Sequence, residues 1–380
     1  MENFKFYNPT KILFGKGTIT NIGEEINNFG IKKVLLLAGG GSIKKNGVYD
    51  QTINSLQNNN IDWVEFWGVQ PNPILSHARE ALEVLRKNNC EAILAVGGGS
   101  VIDEAKAICA GYYKNDIWDL FEDDREITNA LPLFVIQTLS ATGSEMNSYS
   151  VLTNEFEKKK WAFGSRFTYP KVSIIDPEVQ MTLPWRQTVN GGVDAISHVF
   201  ENYFGGIDEE STLSINEALV RTIIKTIDEL KLNEKNYKAR ANFAWSAALA
   251  LSGLTSCSMR GGEWVVHRIE HGISALFPEV AHAEGLAVLF PAWIKYVYSY
   301  KPIIFNRWAK NIWNTESIED AINQFIQKLS YWNAPTKLEH LGVKENDIHA
   351  IAENAFMQGE IGNIKSINYD DMINILRLAL

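Results

Sequence analysis

Twice within the first hundred residues, an apolar run ends in three glycines and a serine and then turns helical. Residues 34–38 lead into Gly39-Gly40-Gly41-Ser42, and residues 92–96 lead into Gly97-Gly98-Gly99-Ser100. A buried strand that passes through a glycine turn into a helix is half of a parallel crossover. Repeating that unit builds a parallel sheet covered by helices on both faces. The neighbouring segments fit the same plan. Helical spacing runs over 48–56, 74–87 and 101–110, and strands are predicted at 61–67, 133–136 and 172–175. After Pro184 the text changes to long helical periods, at 211–230, 237–256, 286–298 and 317–331, and glycine turns of the first kind disappear. The reading is an α/β dinucleotide-binding domain over residues 1–184, followed by an all-helical domain over 185–380.

The formal net charge is −9 with no basic block, which argues against nucleic acid as a partner. Cys90, Cys109 and Cys257 are odd in number and widely spaced, as suits a reducing compartment rather than a disulfide framework. The first residues lack the apolar run of a signal peptide, and no stretch approaches the length of a membrane span. A cytoplasmic protein that does not engage membranes is expected.

Glycines let a phosphate approach the backbone, and the helix behind such a turn offers free N–H groups and a positive dipole end. Both turns miss the third glycine of the common Gly-x-Gly-x-x-Gly pattern, which falls on Lys44 and on Ile102. Either turn alone fits an ordinary tight turn; two in successive strand–helix units favour a dinucleotide. The second is the choice for the pyrophosphate, with Asp103 expected to cap the helix. A third polar turn, Thr138 to Glu145, places hydroxyls at Thr138, Ser140 and Thr142, where they suit phosphate, ribose or amide contacts as well as a plain Ser/Thr turn. Lys158-Lys159-Lys160 reads as a solvated hairpin from which one lysine can turn inward.

The helical half carries a different chemistry. Asp194 and His198 are four residues apart, so on a helix both face one side and reach a common divalent cation. Of seven histidines in the chain, four lie between 198 and 282: His198, His267, His271 and His282. His267 and His271 are again at i, i+4, and spacing alone nominates both. Glu201 lies on the same helix face as Asp194 and His198, where it suits either a surface position or the orientation of a ligand imidazole. A cation opposite a nicotinamide cofactor describes metal-assisted hydride transfer, with the metal acting as a Lewis acid on an alcohol or carbonyl oxygen.

Gly97-Gly98-Gly99-Ser100-Val101-Ile102-Asp103, the 138–145 turn, Gly192-Val193-Asp194-Ala195-Ile196-Ser197-His198 and His267-x-Ile-Glu-His271 together resemble the iron-containing alcohol dehydrogenase family. The chain is most similar to its butanol dehydrogenase and aldehyde reductase branch. The resemblance covers nearly the whole length. It implies a Rossmann-like domain followed by a helical metal-binding domain, a plan shared with dehydroquinate synthase, and a homodimer. By matching motifs, it places metal ligands on Asp194, His198, His267 and His282, and a proton-transfer role on His271. Cofactor contacts fall on Gly39, Gly41, Ser42, Gly97, Gly98, Gly99, Ser100, Asp103, Thr138, Ser140, Thr142 and Lys160. The metal implied is Fe2+, with Zn2+ and Ni2+ compatible with the same donors. The family commonly has one residue fewer between the last two ligand histidines, and a glycine where Ala283 stands here.

The expected substrate is a small primary alcohol or its aldehyde, of butanol size. The alternative is a polyol of the glycerol or propanediol type. Arg260 is the only basic residue between Ala241 and His267, which disfavours a sugar phosphate. The first turn holds Ser42, Lys44 and Lys45 and no acid that would repel a 2′-phosphate, so NADP(H) is expected to be preferred over NAD(H).

Overall fold

A computed structural model describes residues 1–123 and 127–380. The sheet strands are β1 (Lys11–Phe14), β2 (Lys33–Ala38), β3 (Asp62–Trp67), β4 (Ala92–Gly97), β5 (Leu133–Gln137) and β8 (Val172–Ile175); β6 (Tyr149–Asn154) and β7 (Lys159–Gly164) form a separate antiparallel hairpin. The six strands are parallel in the order β1-β8-β5-β4-β2-β3. Between them come helices α1 (Ile22–Asn28), α2 (Ser42–Lys45), α3 (Val48–Asn58), α4 (Leu75–Lys87), α5 (Gly99–Gly111) and α6 (Asp119–Glu122).

Side-chain alternation accounts for the two layers. On β2, Leu35 and Leu37 join a core with Leu82 and Ile108 from α4 and α5, while Val34, Leu36 and Ala38 join another with Ile22 and Leu56 from α1 and α3. Strands buried on both faces read as continuous apolar runs, which is why β2, β4 and β5 were plain in the sequence. The strand order reverses between β2 and β4, since β3 lies outside β2 and β5 outside β4. Ala38 pairs with Val96, so both glycine turns leave the sheet side by side at the carboxyl ends of adjacent strands. Such a switch point is where open parallel sheets bind ligands.

The other helices are α7 (Trp185–Tyr203), α8 (Glu210–Leu232), α9 (Tyr237–Ala250), α10 (Val265–Leu276), α11 (His282–Val297), α12 (Pro302–Trp313), α13 (Ile318–Tyr331), α14 (Ile348–Phe356) and α15 (Tyr369–Leu378). The helix expected over 237–256 stops at Ala250, because Gly253 takes φ +88°, in the left-handed region that ends helices. Among the described residues no helix is long and apolar enough to cross a membrane.

Two compact units result. One holds Asn8–Leu183 with Glu234–Ala248; the other holds Met1–Tyr7, Pro184–Asn233 and Leu249–Leu380. The expected division at 184/185 misallocates two segments. Most of α9 belongs with the sheet, where Ala244 and Ala248 bury against Ile175, and the first seven residues belong with the helices.

Candidate functional site

The first glycine turn is open. A Cβ at Gly40 or Gly41 would meet nothing within 4 Å, and Gly41 has φ +95°, a conformation that favours glycine. Ser42 is exposed just behind it, and the Lys44 ammonium lies over the Trp67 ring, 4.1 Å from its centroid. The second turn is close-packed. A Cβ at Gly99 would fall 2.4 Å from Thr142 Cγ2, one at Gly97 equally close to Val101, and one at Gly98 3.2 Å from Leu139. Glycine is demanded there by neighbouring chain as well as by any phosphate. The packing also brings the 138–145 turn against Gly97–Ser100, tied by Thr138 N donating to the Gly97 carbonyl at 2.9 Å.

Two residues expected to touch cofactor are engaged elsewhere. Asp103 does not cap α5: its carboxylate accepts from Ser144 Oγ at 2.5 Å and from the Val151 amide at 3.1 Å. Beside it the fully buried Lys106 donates to Ser144, Asn147 and the Tyr149 carbonyl, and burial pulls its ammonium down to about 8. Ser140 is buried and donates to Gln180 Oε1 at 2.8 Å. Thr142 Oγ1 accepts from the Ser144 amide at 3.1 Å, and its side chain is half-buried. Of the three hairpin lysines, Lys160 is the one turned inward and buried, whereas Lys159 pairs with Glu157.

In the helical unit, α7 carries Asp194, His198 and Glu201, α10 carries His267, Glu270 and His271, and α11 begins with His282. Gly192 lets α8 approach α7 closely, since a Cβ there would stand 2.9 Å from Ile227 Cγ1. Ligand-type atoms of Asp194, His267 and His282 all lie within 4.8 Å of one another. His198 stands beside this trio, its Nε2 3.8 Å from Asp194 Oδ1 and its ring 4.9 Å from that of His267 between centroids. Burial and the neighbouring histidines hold the His198 imidazole well below its ordinary range, hence neutral and able to ligate. His271 falls outside the trio. It groups instead with Glu270 and His282, its ring 5.5 Å from that of His282.

Two buried carboxylates stand behind the histidines. Glu201 Oε1 accepts from both His267 Nδ1 at 2.8 Å and the His267 amide at 3.1 Å. With its proton fixed on Nδ1, His267 presents a bare Nε2, which is buried and has no hydrogen-bond partner among the described residues. Glu270 bonds His282 Nδ1 in the same manner and accepts from Ser274 Oγ. His282 Nε2 is then left 3.7 Å from Asp194 Oδ1. A carboxylate oxygen and imidazole nitrogens within 4.8 Å of one another, with the His267 nitrogen bare, fit a divalent cation. Trp264 closes one side. It adopts φ +53°, unusual for a bulky residue, and its ring lies 5.3 Å from that of His267. Glu270 and Trp264 went unassigned in the sequence; only the Glu270 position, three residues after His267, gave a signal.

Two family models together span nearly the whole chain. One, described as iron-containing alcohol dehydrogenase, matches residues 9–177; the other, described as the C-terminal part of the Fe-containing alcohol dehydrogenase family, matches residues 188–380. The chain belongs to the iron-containing alcohol dehydrogenase family. It is accordingly a nicotinamide-dependent oxidoreductase acting on a CH–OH group and its carbonyl counterpart. The crystal structure of NADH-dependent butanol dehydrogenase A from Thermotoga maritima superposes with a TM-score of 0.98 at 51% identity, covering 100% of this chain and 99% of that one. The probable NADH-dependent butanol dehydrogenase 1 of Bacillus subtilis is 39% identical over 390 residues, covering all of both chains. The NADPH-dependent aldehyde reductase of Escherichia coli is 34% identical, covering 97% of each.

Proposed function

We propose that this alcohol dehydrogenase interconverts a short primary alcohol and its aldehyde, butanol and butyraldehyde being the reference pair, with one divalent cation held by Asp194, His198, His267 and His282. The observation that carries the reading is the buried, unpartnered Nε2 of His267, kept bare by Glu201 and facing Asp194 and His282. Fe2+ is the first choice, and Zn2+ or Ni2+ suit the same borderline donors. When bound, such a cation polarises the substrate oxygen as a Lewis acid. The protein does the rest. Glu201 and Glu270 keep two imidazoles in the ligating tautomer. His271, half-buried at the rim beside His282, passes the hydroxyl proton between substrate and solvent.

The dinucleotide is assigned to the two turns at the switch point. Backbone amides of Gly97, Gly98, Gly99 and Ser100 would hold the pyrophosphate at the start of α5, and Gly39, Gly41 and Ser42 the adenosine end. Thr138, Thr142 and Lys160 would add side-chain contacts to the cofactor, while Asp103 and Ser140, bonded to Ser144, Val151 and Gln180, would brace the site. NADP(H) is the preferred carrier in this reading. Glu65 on β3, a strand next to the first turn's own, is engaged within the protein: it accepts from Tyr49 Oη at 2.5 Å, Trp67 Nε1 at 2.8 Å and Trp63 Nε1 at 3.3 Å. The names of the relatives divide between NADH and NADPH, so the preference rests on the acid-free first turn and the engagement of Glu65. A homodimer, on the family resemblance, completes the proposal. The test is direct. Protein reconstituted with Fe2+, Zn2+ or Ni2+ is mixed with butyraldehyde and reduced cofactor, and the nicotinamide absorbance is followed. No turnover with any metal sinks the reading, and higher kcat/KM with NADH sinks the cofactor preference.

A further inference from the structure

His77, near the start of α4, has both ring nitrogens engaged. Nδ1 lies 2.6 Å from Glu104 Oε1, and Nε2 lies 3.1 Å from the Trp67 carbonyl. A carbonyl only accepts, so Nε2 carries a proton. A bare imidazole nitrogen and a bare carboxylate oxygen do not rest 2.6 Å apart, so a second proton sits between them. The pair is therefore neutral as a unit, whichever atom holds that proton. Glu104 is fully buried on α5, and its Oε2 is buried without a hydrogen-bond partner among the described residues.

The pair connects the two glycine turns. Trp67 ends β3, and the two residues after it bind the first turn: the Gly68 amide donates to the Ala38 carbonyl at 3.1 Å, and the Val69 carbonyl stands 3.3 Å from where a Gly39 Cβ would be. The Trp67 ring also carries Lys44. At the other end, Glu104 lies on the helix that begins with Gly99 of the second turn. Neither His77 nor Glu104 takes part in the proposed reaction.

We propose that His77 and Glu104 form a proton-dependent strut that holds the two glycine turns at the spacing a dinucleotide needs, so that cofactor affinity falls when the shared proton is lost. This rests on the placement of the dinucleotide at those turns. His77 is a positioning residue: it acts through Trp67. The groups facing its ring are Glu104 from α5, Glu80 one turn on in α4, and the Phe66 ring and Trp67 carbonyl from β3; Glu155 caps the first amides of α4 beside it. The charged ones are all acids. The bond to Glu104 raises the His77 imidazole above its ordinary range against the opposing effect of burial, with Glu80 adding to it. For a raised group, the contribution is complete below the ordinary histidine range and is lost as pH climbs through the raised value.

The experiment titrates metal-loaded protein with NADH, whose own groups do not ionise in this range, by fluorescence from neutral to alkaline pH. The parent Kd should be lowest at the neutral end and then rise about tenfold, the loss expected of one charge-assisted bond. His77→Leu should show the weak Kd at every pH, with kcat at saturating cofactor and metal content unchanged. Glu104→Gln keeps the shape and offers a partner to either form of the ring, so it should bind within about threefold of the parent and lose the pH dependence. A pH-flat parent, or a pH dependence that survives in Glu104→Gln, overturns the proposal. Gly40→Val separates its failure from that of the placement. A Cβ there meets nothing within 4 Å among the described residues, so an unchanged Kd in that variant would show that the dinucleotide binds elsewhere.

Discussion

Glu201→Gln is the sharpest probe of the metal centre. The carboxylate is fully buried and its Oε1 receives both the Nδ1–H and the amide of His267. Glutamine can keep its oxygen on those two donors, so the ring stays oriented, but the negative charge that makes Nε2 a stronger donor is gone. Its new NH2 then occupies the Oε2 position, where no hydrogen-bond partner is found. Two costs separate. Loss of a carboxylate behind a ligand histidine weakens metal binding about 10–100-fold, or about 1.4–2.7 kcal/mol. The two bonds from His267 also lose their charge assistance, which lowers the stability of the metal-free fold by about 1–3 kcal/mol. Competition against a chromophoric chelator gives the first number, and a thermal melt of metal-free protein gives the second. Metal affinity within twofold of the parent, alongside the expected loss in the melt, would refute the argument that Glu201 tunes the ligand rather than merely fills space.

Other expectations follow from the same geometry. His282→Ala should purify without metal, whereas His271→Ala should retain it and lose about 100-fold in kcat; metal analysis of the two proteins decides, and the reverse pattern would mean His271 is the ligand. Ser42→Asp should shift the kcat/KM ratio towards NADH by about tenfold, a Coulomb penalty on a 2′-phosphate reduced by the exposure of the turn; an unaltered ratio would displace the adenosine end from this turn. Gly99→Ala forces its new methyl into Thr142 and should destabilise the protein by about 1–3 kcal/mol in a urea titration even without cofactor. A variant as stable as the parent would show that the 138–145 turn gives way.

What could be read in advance depended on whether the signal was local. Buried parallel strands announce themselves as apolar runs, so β2, β4 and β5 and both glycine turns were legible. β1 was not, because a four-residue edge strand gains its identity only by pairing with β8, some 160 residues later. Asp194 and His198 share one helix, and their spacing alone placed them together. The choice between His271 and His282 was beyond spacing, since it depends on how α10 and α11 meet; the resemblance had to supply it. His282 opens α11, so its approach to Asp194 follows from where that helix starts. Asp103 matched a motif, but which way its carboxylate turned was set by Ser144 and Val151, forty-odd residues away. For α9, small apolar residues all round the helix mark it as packed against something but do not say which unit it covers.

The placement of α9 limits how this protein can be taken apart. Both family models suggest a cut in the eighties of the second hundred, yet the chain passes between its compact units at Tyr7/Asn8, Leu183/Pro184, Asn233/Glu234 and Ala248/Leu249. An isolated fragment ending at Leu183 would lack Ala244 and Ala248, leaving Ile175 at the end of β8 with part of its apolar cover missing. Dissection, gene splitting or swapping of halves with a relative must therefore carry residues 234–248 along with the sheet, by a tether or by circular permutation. A single-junction chimera would unite halves that each retain a segment fitted to a different partner.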